Sequence, residues 1–411
     1  MFVLKIVGWE SVNGMTKRVI NVDDMRVRAR HVLPRVIYDF VEGGAEDEVT
    51  LRANQTSLAS IGFRPRMGVH VAEPSLETRV LGTDVSIPVL LAPVGGLSLV
   101  HSDGQAGAAR AAAEFGTRAI VGTLAGASLE DVMLKGGGVP HWFQLYNLGG
   151  RVGAEILIDR ARLAGYSALV VNVDTPVVGH KERDIRNGGV QAGGMPMNHI
   201  DLKSVFRFAP VAVTHPRWLY RFARTGFALG QPNYADLSER RSALSPEDAV
   251  AKWMAEPVCW GDFSWIREHW TGPLVVKGIL SDDDARRAVD VGADAVIVSN
   301  HGGRQLDGTP ATIDALPEIV AAVGGQVDVI LDGGIRRGSD VARAIALGAQ
   351  AVLIGRPYVY GLAVSGQTGV SAVLEILRDE LRRTLQLLGC ESVDALDRSW
   401  IDPRVPPGSR V

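Results

Sequence analysis

One pattern, a helical segment followed by a glycine and a short β-branched run, narrows the folds open to this chain. We interpret each such glycine as a helix C′ residue in the left-handed conformation. The apolar run after it is typical of a strand buried on both faces, as in a parallel sheet. The pattern occurs in FGTRAIVGT (115–123), AGYSALVVNVD (164–174), VGADAVIVSN (291–300) and LGAQAVLIGR (347–356).

Further apolar runs bring the candidate strands to eight. Helix-patterned segments separate most of them, and one begins with Ser281 as N-cap and three aspartates in its first turn, which suits the helix dipole. Eight strands alternating with helices predict an α/β fold, a (β/α)8 or TIM barrel, with a doubly wound sheet as the alternative. The runs are PVLLAPV (88–94), RAIVGT (118–123), PHWFQLY (140–146), SALVVNVD (167–174), PLVVKG (273–278), DAVIVSN (294–300), VDVILD (327–332) and QAVLIG (350–355).

The segments outside this repeat define the expected domain organisation. We expect a single barrel domain over residues 16–390, with an N-terminal cap over 16–87. The cap is predicted to be helical around VDDMRVRARHVL and VIYDFVEG. A long insertion, 187–262, separates the fourth and fifth strands and exceeds the usual loop length. Residues 1–15 are predicted to be an extension and 391–411 a C-terminal tail.

The composition is that of an ordinary globular enzyme, since 46% of the 411 residues are hydrophobic and 22% are charged. The formal net charge of −3 gives no electrostatic case for a nucleic-acid partner. Cys259 and Cys390 have neither metal-ligand spacing nor a disulfide framework, so we expect a cytoplasmic protein without a bound metal. No apolar run approaches the roughly 18 residues of a membrane-spanning helix.

The insertion carries a basic, aromatic-rich stretch, DLKSVFRFAPVAVTHPRWLYRFARTG, at residues 201–226. After Asp201 it contains lysine and arginine but no acid. A peripheral contact with the inner face of a membrane is one interpretation of such a segment. A lid packed on the barrel mouth is the interpretation we favour, because the amphipathic period is imperfect.

Polar side chains follow nearly every predicted strand. Chemistry in a barrel takes place at the carboxyl ends of the strands, so these side chains are expected to converge on one face. Each alone has an ordinary structural explanation; a lone lysine, for example, usually extends to water. The strand ends in order are Pro93-Val94-Gly95, Gly122-Thr123, Gln144-Leu145-Tyr146, Asn172-Val173-Asp174, Lys277, Ser299-Asn300-His301, Asp332-Gly333-Gly334 and Gly355-Arg356.

The loops after the seventh and eighth strands, DGGIRRGSD and GRP, indicate a phosphate site. Glycines expose backbone N–H groups there, and Arg336 and Arg356 add fixed positive charge. Barrels commonly bind a phosphate at this place. Tight turns would explain either loop alone but explain the pair poorly, so we expect a phosphorylated cofactor or substrate.

Two strand ends carry residues suited to catalysis. Lys277 is suited either to a Schiff base or to placing a positive charge beside a cofactor ring that becomes anionic on reduction. His301 with Arg304 favours proton abstraction beside an anionic substrate, because imidazole takes the proton while guanidinium holds a carboxylate through two hydrogen bonds. Asp174 would fix the tautomer of the imidazole and stabilise its charged form.

The ordered motifs resemble one family. SNHGGRQLD, with KG after the fifth strand, DGGIRRG after the seventh and GRP after the eighth, is similar to the FMN-dependent 2-hydroxy acid oxidases and dehydrogenases. That family includes glycolate oxidase, flavin L-lactate dehydrogenase and mandelate dehydrogenase. The resemblance runs from about Val22 to Cys390 and includes LPRVIYDFVEGGAEDE, FRPR and WFQLY. It implies FMN as cofactor, a small-molecule substrate, a quinone, another carrier or oxygen as electron acceptor, and a homo-oligomer, often a tetramer.

The resemblance also implies roles for single residues. His301 would be the base, with Asp174 beside it. Arg304 would bind the substrate carboxylate and Tyr146 the substrate oxygens, while Lys277 would stabilise the reduced flavin. The other flavin contacts would be Pro93, Val94, Gly95, Gly122, Gln144, Asn172 and Ser299 along the ring or ribityl chain, Asp332 on the ribityl chain, and Gly333, Gly334, Arg336, Gly355 and Arg356 around the phosphate.

Several positions depart from the family pattern. Phe40 replaces a second tyrosine that normally helps to bind the carboxylate, and Lys181 replaces a second arginine. Lysine cannot make the planar fork of a guanidinium. Gly122 and Asn172 occupy positions where serine and threonine are usual in the family. Gly95 occupies a position where glycine is found in family members that react slowly with oxygen. Phe40 and Lys181 still line the expected substrate site, but they predict a substrate bulkier than glycolate or lactate.

Three functions are open at this point. The leading one is FMN-dependent oxidation of a 2-hydroxy acid, or a close derivative, to the 2-oxo product. The second is a flavin-dependent tailoring oxidase for a larger biosynthetic or peptide-derived intermediate, because PRWLY, GTPATIDALPEI and the missing cap tyrosine resemble the family member that matures mycofactocin. The third is a Schiff-base lyase that uses Lys277 without flavin. The retained His301, Asp174 and Arg304 argue against a non-catalytic barrel.

Overall fold

The centre of the molecule is a parallel sheet of eight strands that neighbour one another in chain order. A backbone bridge between Leu91 and Ala119 joins the first of these strands to the second, so the sheet is nearly closed on itself. The predicted TIM barrel is confirmed, and the doubly wound sheet is wrong. The computed structural model describes residues 19–147, 150–187, 214–224, 232–233 and 256–402.

All eight predicted barrel strands are present. Most are shorter than the apolar runs, because the runs continue into the loops; one strand instead extends a residue further, to Ile279. A two-stranded hairpin, β1 (Thr78–Val80) with β2 (Thr83–Val85), precedes them. The barrel strands are β3 (Val89–Leu91), β4 (Ile120–Gly122), β5 (Trp142–Leu145), β6 (Ala168–Asn172), β7 (Leu274–Ile279), β8 (Ala295–Val298), β9 (Asp328–Asp332) and β10 (Ala351–Ile354).

The glycine signal that predicted the strands also predicted the helix ends. Gly116, Gly165, Gly292 and Gly348 have φ values of 76°, 87°, 81° and 107°. These values lie in the region that side-chain-bearing residues rarely adopt, so each glycine ends a helix and turns the chain toward the next strand.

Fourteen α-helices lie in the described part of the chain. The predicted N-cap is confirmed, since the Ser281 side chain accepts a hydrogen bond from the backbone N–H of Asp284. The helices are α1 (Val22–Val32), α2 (Arg35–Glu42), α3 (Val49–Ser60), α4 (Leu97–Val100), α5 (Gly104–Glu114), α6 (Leu129–Lys135), α7 (Gly150–Ala164), α8 (Glu182–Arg186), α9 (Pro216–Arg224), α10 (Phe263–His269), α11 (Asp282–Asp290), α12 (Thr312–Val323), α13 (Gly338–Ala346) and α14 (Arg356–Leu388), which is kinked at Ser365 and Gly366.

The hairpin β1–β2 covers the amino end of the barrel. Its residues Val80 and Val85 belong to the apolar cluster that fills the barrel interior around Trp142. The backbone N–H of Leu81 donates to the carboxylate of Asp328 (2.7 Å). Asp328 is the first residue of β9, so the hairpin lies at the amino end of the barrel. The amino end is therefore packed, and the carboxyl ends of the strands face the opposite side.

The cap helix α3 is held against the loop that follows β8. The Asp307 carboxylate accepts hydrogen bonds from the backbone N–H groups of Val49 (3.1 Å) and Thr50 (2.8 Å), and so caps α3 from across the molecule. Asn54 and Asn300 exchange two buried amide hydrogen bonds of 2.8 Å each. The conformation of the β8 loop therefore depends on the N-terminal cap.

The described part of the basic stretch packs on the barrel. Trp218 and Phe222 of α9 stack on each other and are each 9% exposed. The Trp218 indole N–H donates to the Leu99 carbonyl (2.8 Å). This supports the lid interpretation for α9, whereas most of 201–226 lies outside the described residues. No helix within the described ranges is long and apolar enough to cross a membrane.

The predicted domain boundaries lie largely beyond what the structure describes. Residues 1–18 and 403–411 and most of the insertion fall outside the described ranges. After Cys390 the chain pairs back on the cap, with Ser392 beside Ser75 and Ile401 beside Phe63. The limits of the extension, the insertion and the tail stay predictions.

Candidate active site

His301 follows β8 in a backbone conformation that few residues adopt. Its φ of 56° lies in the left-handed region, which costs a non-glycine residue about 1–2 kcal/mol. The backbone N–H of His301 donates to the Ser299 hydroxyl (3.1 Å), and Gly302 and Gly303 continue with positive φ. Strain of this kind concentrates at functional sites, where the surrounding structure maintains it.

His301 and Asp174 form the predicted pair. Nδ1 of His301 lies 3.0 Å from Oδ2 of Asp174, whose side chain is 9% exposed. Burial alone would raise the pKa of Asp174, but the charges of His301 and Lys277 and hydrogen bonds from His301 and Asn172 lower it to about 2. An ionised carboxylate only accepts hydrogen bonds, so Nδ1 of His301 is the donor of this bond and Nε2 is the ring nitrogen that does not bond to Asp174.

Lys277 is buried among anionic and polar groups. Its Nζ lies 2.7 Å from Oγ of Ser299, 3.1 Å from Oδ2 of Asp332 and 3.9 Å from Oδ2 of Asp174. Burial lowers the pKa of this lysine, but the two carboxylates outweigh burial and hold the pKa above its usual value. A Schiff base requires an unprotonated amine. The arrangement therefore suits the stabilisation of negative charge and argues against the lyase.

Arg304 is anchored at the carboxyl end of α2. Its Nη1 donates to the carbonyls of Phe40 and Gly43, each at 2.8 Å. The negative end of the helix dipole favours a cation at this place. The guanidinium carbon lies 5.3 Å from the centre of the Phe40 ring, and a Cβ built on Gly96 would lie 3.6 Å from that ring. Phe40 thus forms an apolar wall between Arg304 and the loop after β3.

Lys181 and Asp184 lie beside Arg304 at the start of α8. Burial, and then the charge of Arg304, lower the pKa of Lys181 to about 8, while Asp184 opposes this shift. Asp184 is 2% exposed, and burial raises the pKa of its carboxyl group. Its Oδ2 has no hydrogen-bond partner among the described residues. Arg304 and Lys181, the two cations expected to bind the substrate carboxylate and called the clamp below, therefore have Asp184 beside them, which the sequence motifs did not indicate.

Tyr146 follows β5, where its backbone N–H donates to the Thr123 hydroxyl (3.0 Å). Burial raises the pKa of its phenol, the charge of Asp174 raises it further, and Arg304 opposes both. The phenol therefore keeps its proton, within electrostatic range of Asp174 and Arg304.

Three strand ends carry buried polar atoms that have no hydrogen-bond partner among the described residues. They are Nε2 of Gln144, Oδ1 of Asn172 and Oδ1 of Asp332. An unpaired buried polar atom costs about 1–3 kcal/mol, so a bound group that supplies both donors and acceptors is expected here. Gly122 lies against them, and a Cβ there would come within 3.3 Å of Oε1 of Gln144. The residues present fit a flavin ring with its ribityl chain.

The loop after β3 lies next to these atoms. A Cβ built on Gly122 would lie 3.7 Å from Cβ of Pro93, and one on Gly355 would lie 3.9 Å from Val94. A Cβ on Gly95 would meet a carbonyl oxygen of the loop after β4 at 3.2 Å. The structure thus brings the expected ring contacts of the first two strands and the last strand together.

The expected phosphate site is rich in positive charge. Burial lowers the pKa of Arg356 to about 10, and the neighbouring charges of Arg304 and Arg336 contribute. Mutually repelling guanidinium groups favour an anionic ligand. The donors of Arg356 meanwhile reach the carbonyls of Val41, Glu42, Gly43 and Gly302.

Packing imposes its own demands on the loop after β9. Gly333 and Gly334 have φ values of 98° and 82°, and a Cβ on Gly334 would lie 2.2 Å from the Asn54 carbonyl. The close approach of α3 therefore requires this glycine whether or not a phosphate binds. The backbone N–H groups of Arg336 and Arg337 both donate to Asp340 and are engaged within the protein.

Gln305 supports the site and was not predicted. Its Nε2 donates to the carbonyls of Asp174 and Val177 (2.9 Å each), and its Oε1 accepts from the N–H of Gly179 (3.0 Å). These bonds fix the loop after β6 against the loop after β8. The available sequence signal was the position of Gln305 in SNHGGRQLD, directly after Arg304.

The chain is similar to known proteins over most of its length. The model of the FMN-dependent dehydrogenase family matches residues 29–403. L-lactate oxidase of Nostoc sp. is 41% identical over 385 residues, which cover 93% of this chain and 98% of that protein. Pre-mycofactocin synthase of Mycobacterium tuberculosis is also 41% identical over 385 residues, 93% of either chain. The crystal structure of the monotopic membrane protein (S)-mandelate dehydrogenase covers 94% of this chain and all of its own, with a TM-score of 0.82 and 36% identity.

The buried position of Lys277 generates a stability prediction. Lys277→Met should lower the free energy of unfolding at pH 7 by about 3–5 kcal/mol, because it leaves buried carboxylates without their cation. Asp174 is ionised in the wild type from pH 8 to 5, since its pKa is about 2. Loss of the lysine charge raises that pKa, so the stability deficit should shrink as the pH falls.

Guanidinium unfolding between pH 5 and 8 measures the deficit. Lys135→Met is the matched control, because it removes an exposed ammonium from a surface pair with Asp131. A deficit below about 1 kcal/mol, the scale of a surface pair, or one that grows toward pH 5, would show that Lys277 is not the buried counter-charge described here.

Proposed function

This chain belongs to the FMN-dependent dehydrogenase family, and from that premise we propose that it oxidises the hydroxyl-bearing carbon of a 2-hydroxy acid, or a close derivative, to the 2-oxo product. Its cofactor is FMN, and its relatives support FMN-dependent oxidation of 2-hydroxy acids. The observation that carries the proposal is the His301–Asp174 pair at the barrel mouth, in which Nδ1 of His301 lies 3.0 Å from an ionised carboxylate.

Each residue of the site has a defined task in this reaction. A bound FMN would supply the acceptor for the two electrons and the hydrogen that leave the substrate besides the proton. His301 accepts the substrate proton at Nε2, and Asp174 stabilises the imidazolium that results. Arg304 and Lys181 hold the carboxylate or carbonyl beside the reacting carbon. Tyr146, which keeps its proton, donates to a substrate oxygen.

The substrate is bulkier than glycolate or lactate. A small 2-hydroxy acid offers little besides its carboxylate and hydroxyl for binding. Phe40 contributes no hydroxyl to this clamp, and Lys181 contributes a single ammonium that shares its surroundings with the Asp184 carboxylate. Losing a hydrogen bond to a charged group costs about 1.5–3 kcal/mol, or roughly ten- to a hundredfold in affinity. The Phe40 wall favours a substrate with an apolar group, including esters and amides.

A larger biosynthetic or peptide-derived intermediate is the second candidate substrate. Phe40 in the clamp favours it, while pre-mycofactocin synthase and L-lactate oxidase are equally similar to this chain, at 41% identity each. Arg304 favours the first candidate, because a guanidinium anchored at the end of α2 suits a free carboxylate.

His301→Gln should leave a folded protein that binds FMN and that substrate no longer reduces. General-base assistance contributes ~10²–10⁴-fold in rate, and glutamine cannot take the proton. Anaerobic stopped-flow absorbance of the bound flavin measures the rate. His180→Gln, at an exposed histidine of the loop after β6, is the matched control. Reduction of His301→Gln within a few-fold of the wild-type rate would remove His301 from the role of base.

The lowered pKa of Lys181 predicts a pH dependence that is specific to free acids. Its ammonium is present below about pH 8 and is lost above it, so KM for mandelate should rise between pH 7 and 9.5. KM for mandelamide, which carries no charge, should stay level. Lys181→Arg should abolish the rise, because a guanidinium stays protonated throughout this range.

Initial rates with mandelate, mandelamide and glycolate over this pH range test both ideas. Glycolate should have the lowest kcat/KM of the three. If mandelate and mandelamide share one pH profile, Lys181 does not bind the carboxylate. If glycolate is the best substrate, the inference from Phe40 and Lys181 is wrong.

A further inference from the structure

Asp174 is held at three separate atoms by three different side chains. Oδ2 meets Nδ1 of His301 at 3.0 Å. Oδ1 accepts from Nδ2 of Asn172, also at 3.0 Å. The backbone carbonyl accepts from Nε2 of Gln305 at 2.9 Å. Two of these three bonds reach the carboxylate oxygens and can fix its rotation. One comes from the base His301, and the other comes from Asn172.

We infer that Asn172 is a positioning residue for the catalytic base: its amide fixes the plane of the Asp174 carboxylate and thereby the ring of His301. This inference rests on the proposed function, in which His301 is the base. It gives Asn172 a task beyond the flavin contact that the family resemblance implies.

The location of Asn172 makes this contact specific. Asn172 ends β6 and Asp174 lies two residues further on, where their side chains meet at 3.0 Å. Asn172 is 4% exposed, which leaves its amide little freedom to choose other partners. The nitrogen faces Asp174 because an ionised carboxylate only accepts. Oδ1 then points elsewhere and finds no partner among the described residues.

Asn172 lines a narrow cavity together with Tyr146, Asn147 and Val173 among others. One amide can therefore accept from a bound donor there and donate to Asp174 at the same time. Threonine, the usual residue of the family at this position, has a single hydroxyl on a shorter side chain. The extra reach of asparagine is what allows it to engage Asp174.

The titratable groups that face Asp174 come from three further elements. His301 approaches from the loop after β8, Lys277 from β7 and Tyr146 from the end of β5. Lys277 lies 3.9 Å from Oδ2, the same oxygen that binds His301, and does not engage Oδ1. Removing the Asn172 amide thus leaves Oδ1 with no donor among the described residues and lets the carboxylate rotate.

Proton NMR of the holoenzyme tests this inference directly. The Nδ1 proton of an imidazole bonded to a carboxylate resonates far downfield, and its absence in His301→Gln assigns it. Asn172→Leu, which has a similar shape but no donor, should move this resonance upfield or broaden it by exchange. Flavin reduction should slow by roughly ten- to a hundredfold, the effect of losing one hydrogen bond to a charged group, with KM unchanged.

Asn147→Leu is the matched control. Asn147 follows the neighbouring strand, is 7% exposed and lines the same cavity, but its amide donates to the Glu256 carbonyl (2.8 Å) instead of Asp174. It should leave the resonance in place. If Asn172→Leu does not fold, Asn172→Ser, which is too short to reach Asp174, should produce the same displacement.

A wild-type resonance that stays unchanged in the Asn172 variants, or no downfield resonance in the wild type, would overturn the inference. The resonance does not depend on which compound is oxidised. If no 2-hydroxy compound reduces the flavin, the proposed function is contradicted. The NMR experiment still tests whether Asn172 positions Asp174 and His301.

Discussion

The buried ammonium of Lys277 is the interaction on which the geometry of the site depends. It lies on β7 and reaches carboxylates that follow β6 and end β9, together with the hydroxyl of Ser299 after β8. Four consecutive strands thus share one positive charge at the barrel mouth. An unpaired charge at such depth would cost several kcal/mol, so these strand ends can only pack in an arrangement that keeps the pairing. Asp174 stays ionised as a result, and His301 is held in one tautomer.

A second set of contacts stabilises the strained backbone conformation of His301. The loop after β8 is fixed to the cap by Asn300 and Asp307, and to the loop after β6 by Gln305. The strain of about 1–2 kcal/mol at His301 is small beside these bonds. The cap thus completes a site whose chemistry lies on the barrel, since its helix α2 also supplies the carbonyls that hold Arg304.

Local patterns predicted the fold well and the support of the site poorly. The glycine before four of the apolar runs marks a real helix end, so β6 and β8 could be predicted from Gly165 and Gly292. The hairpin at Thr78–Val85 carries too short an apolar pattern to be recognised. Asn54 could not be predicted because its partner, Asn300, lies 246 residues away. Asp184 lies in a polar helix turn and differs from its neighbours only by its burial.

The central claim is that the site breaks the C–H bond at the hydroxyl-bearing carbon and that His301 accepts a proton from the substrate. The proton comes from the hydroxyl group if hydride leaves the carbon, and from the carbon itself if a carbanion forms. Anaerobic single-turnover reduction of the FMN holoenzyme by mandelate and mandelamide, each with hydrogen or deuterium at C2, tests it most directly. The account predicts that the flavin absorbance bleaches with both compounds and that deuterium slows the bleaching. Flavin that stays oxidised with every 2-hydroxy compound, or bleaching at equal rates for hydrogen and deuterium at saturating substrate, would contradict it.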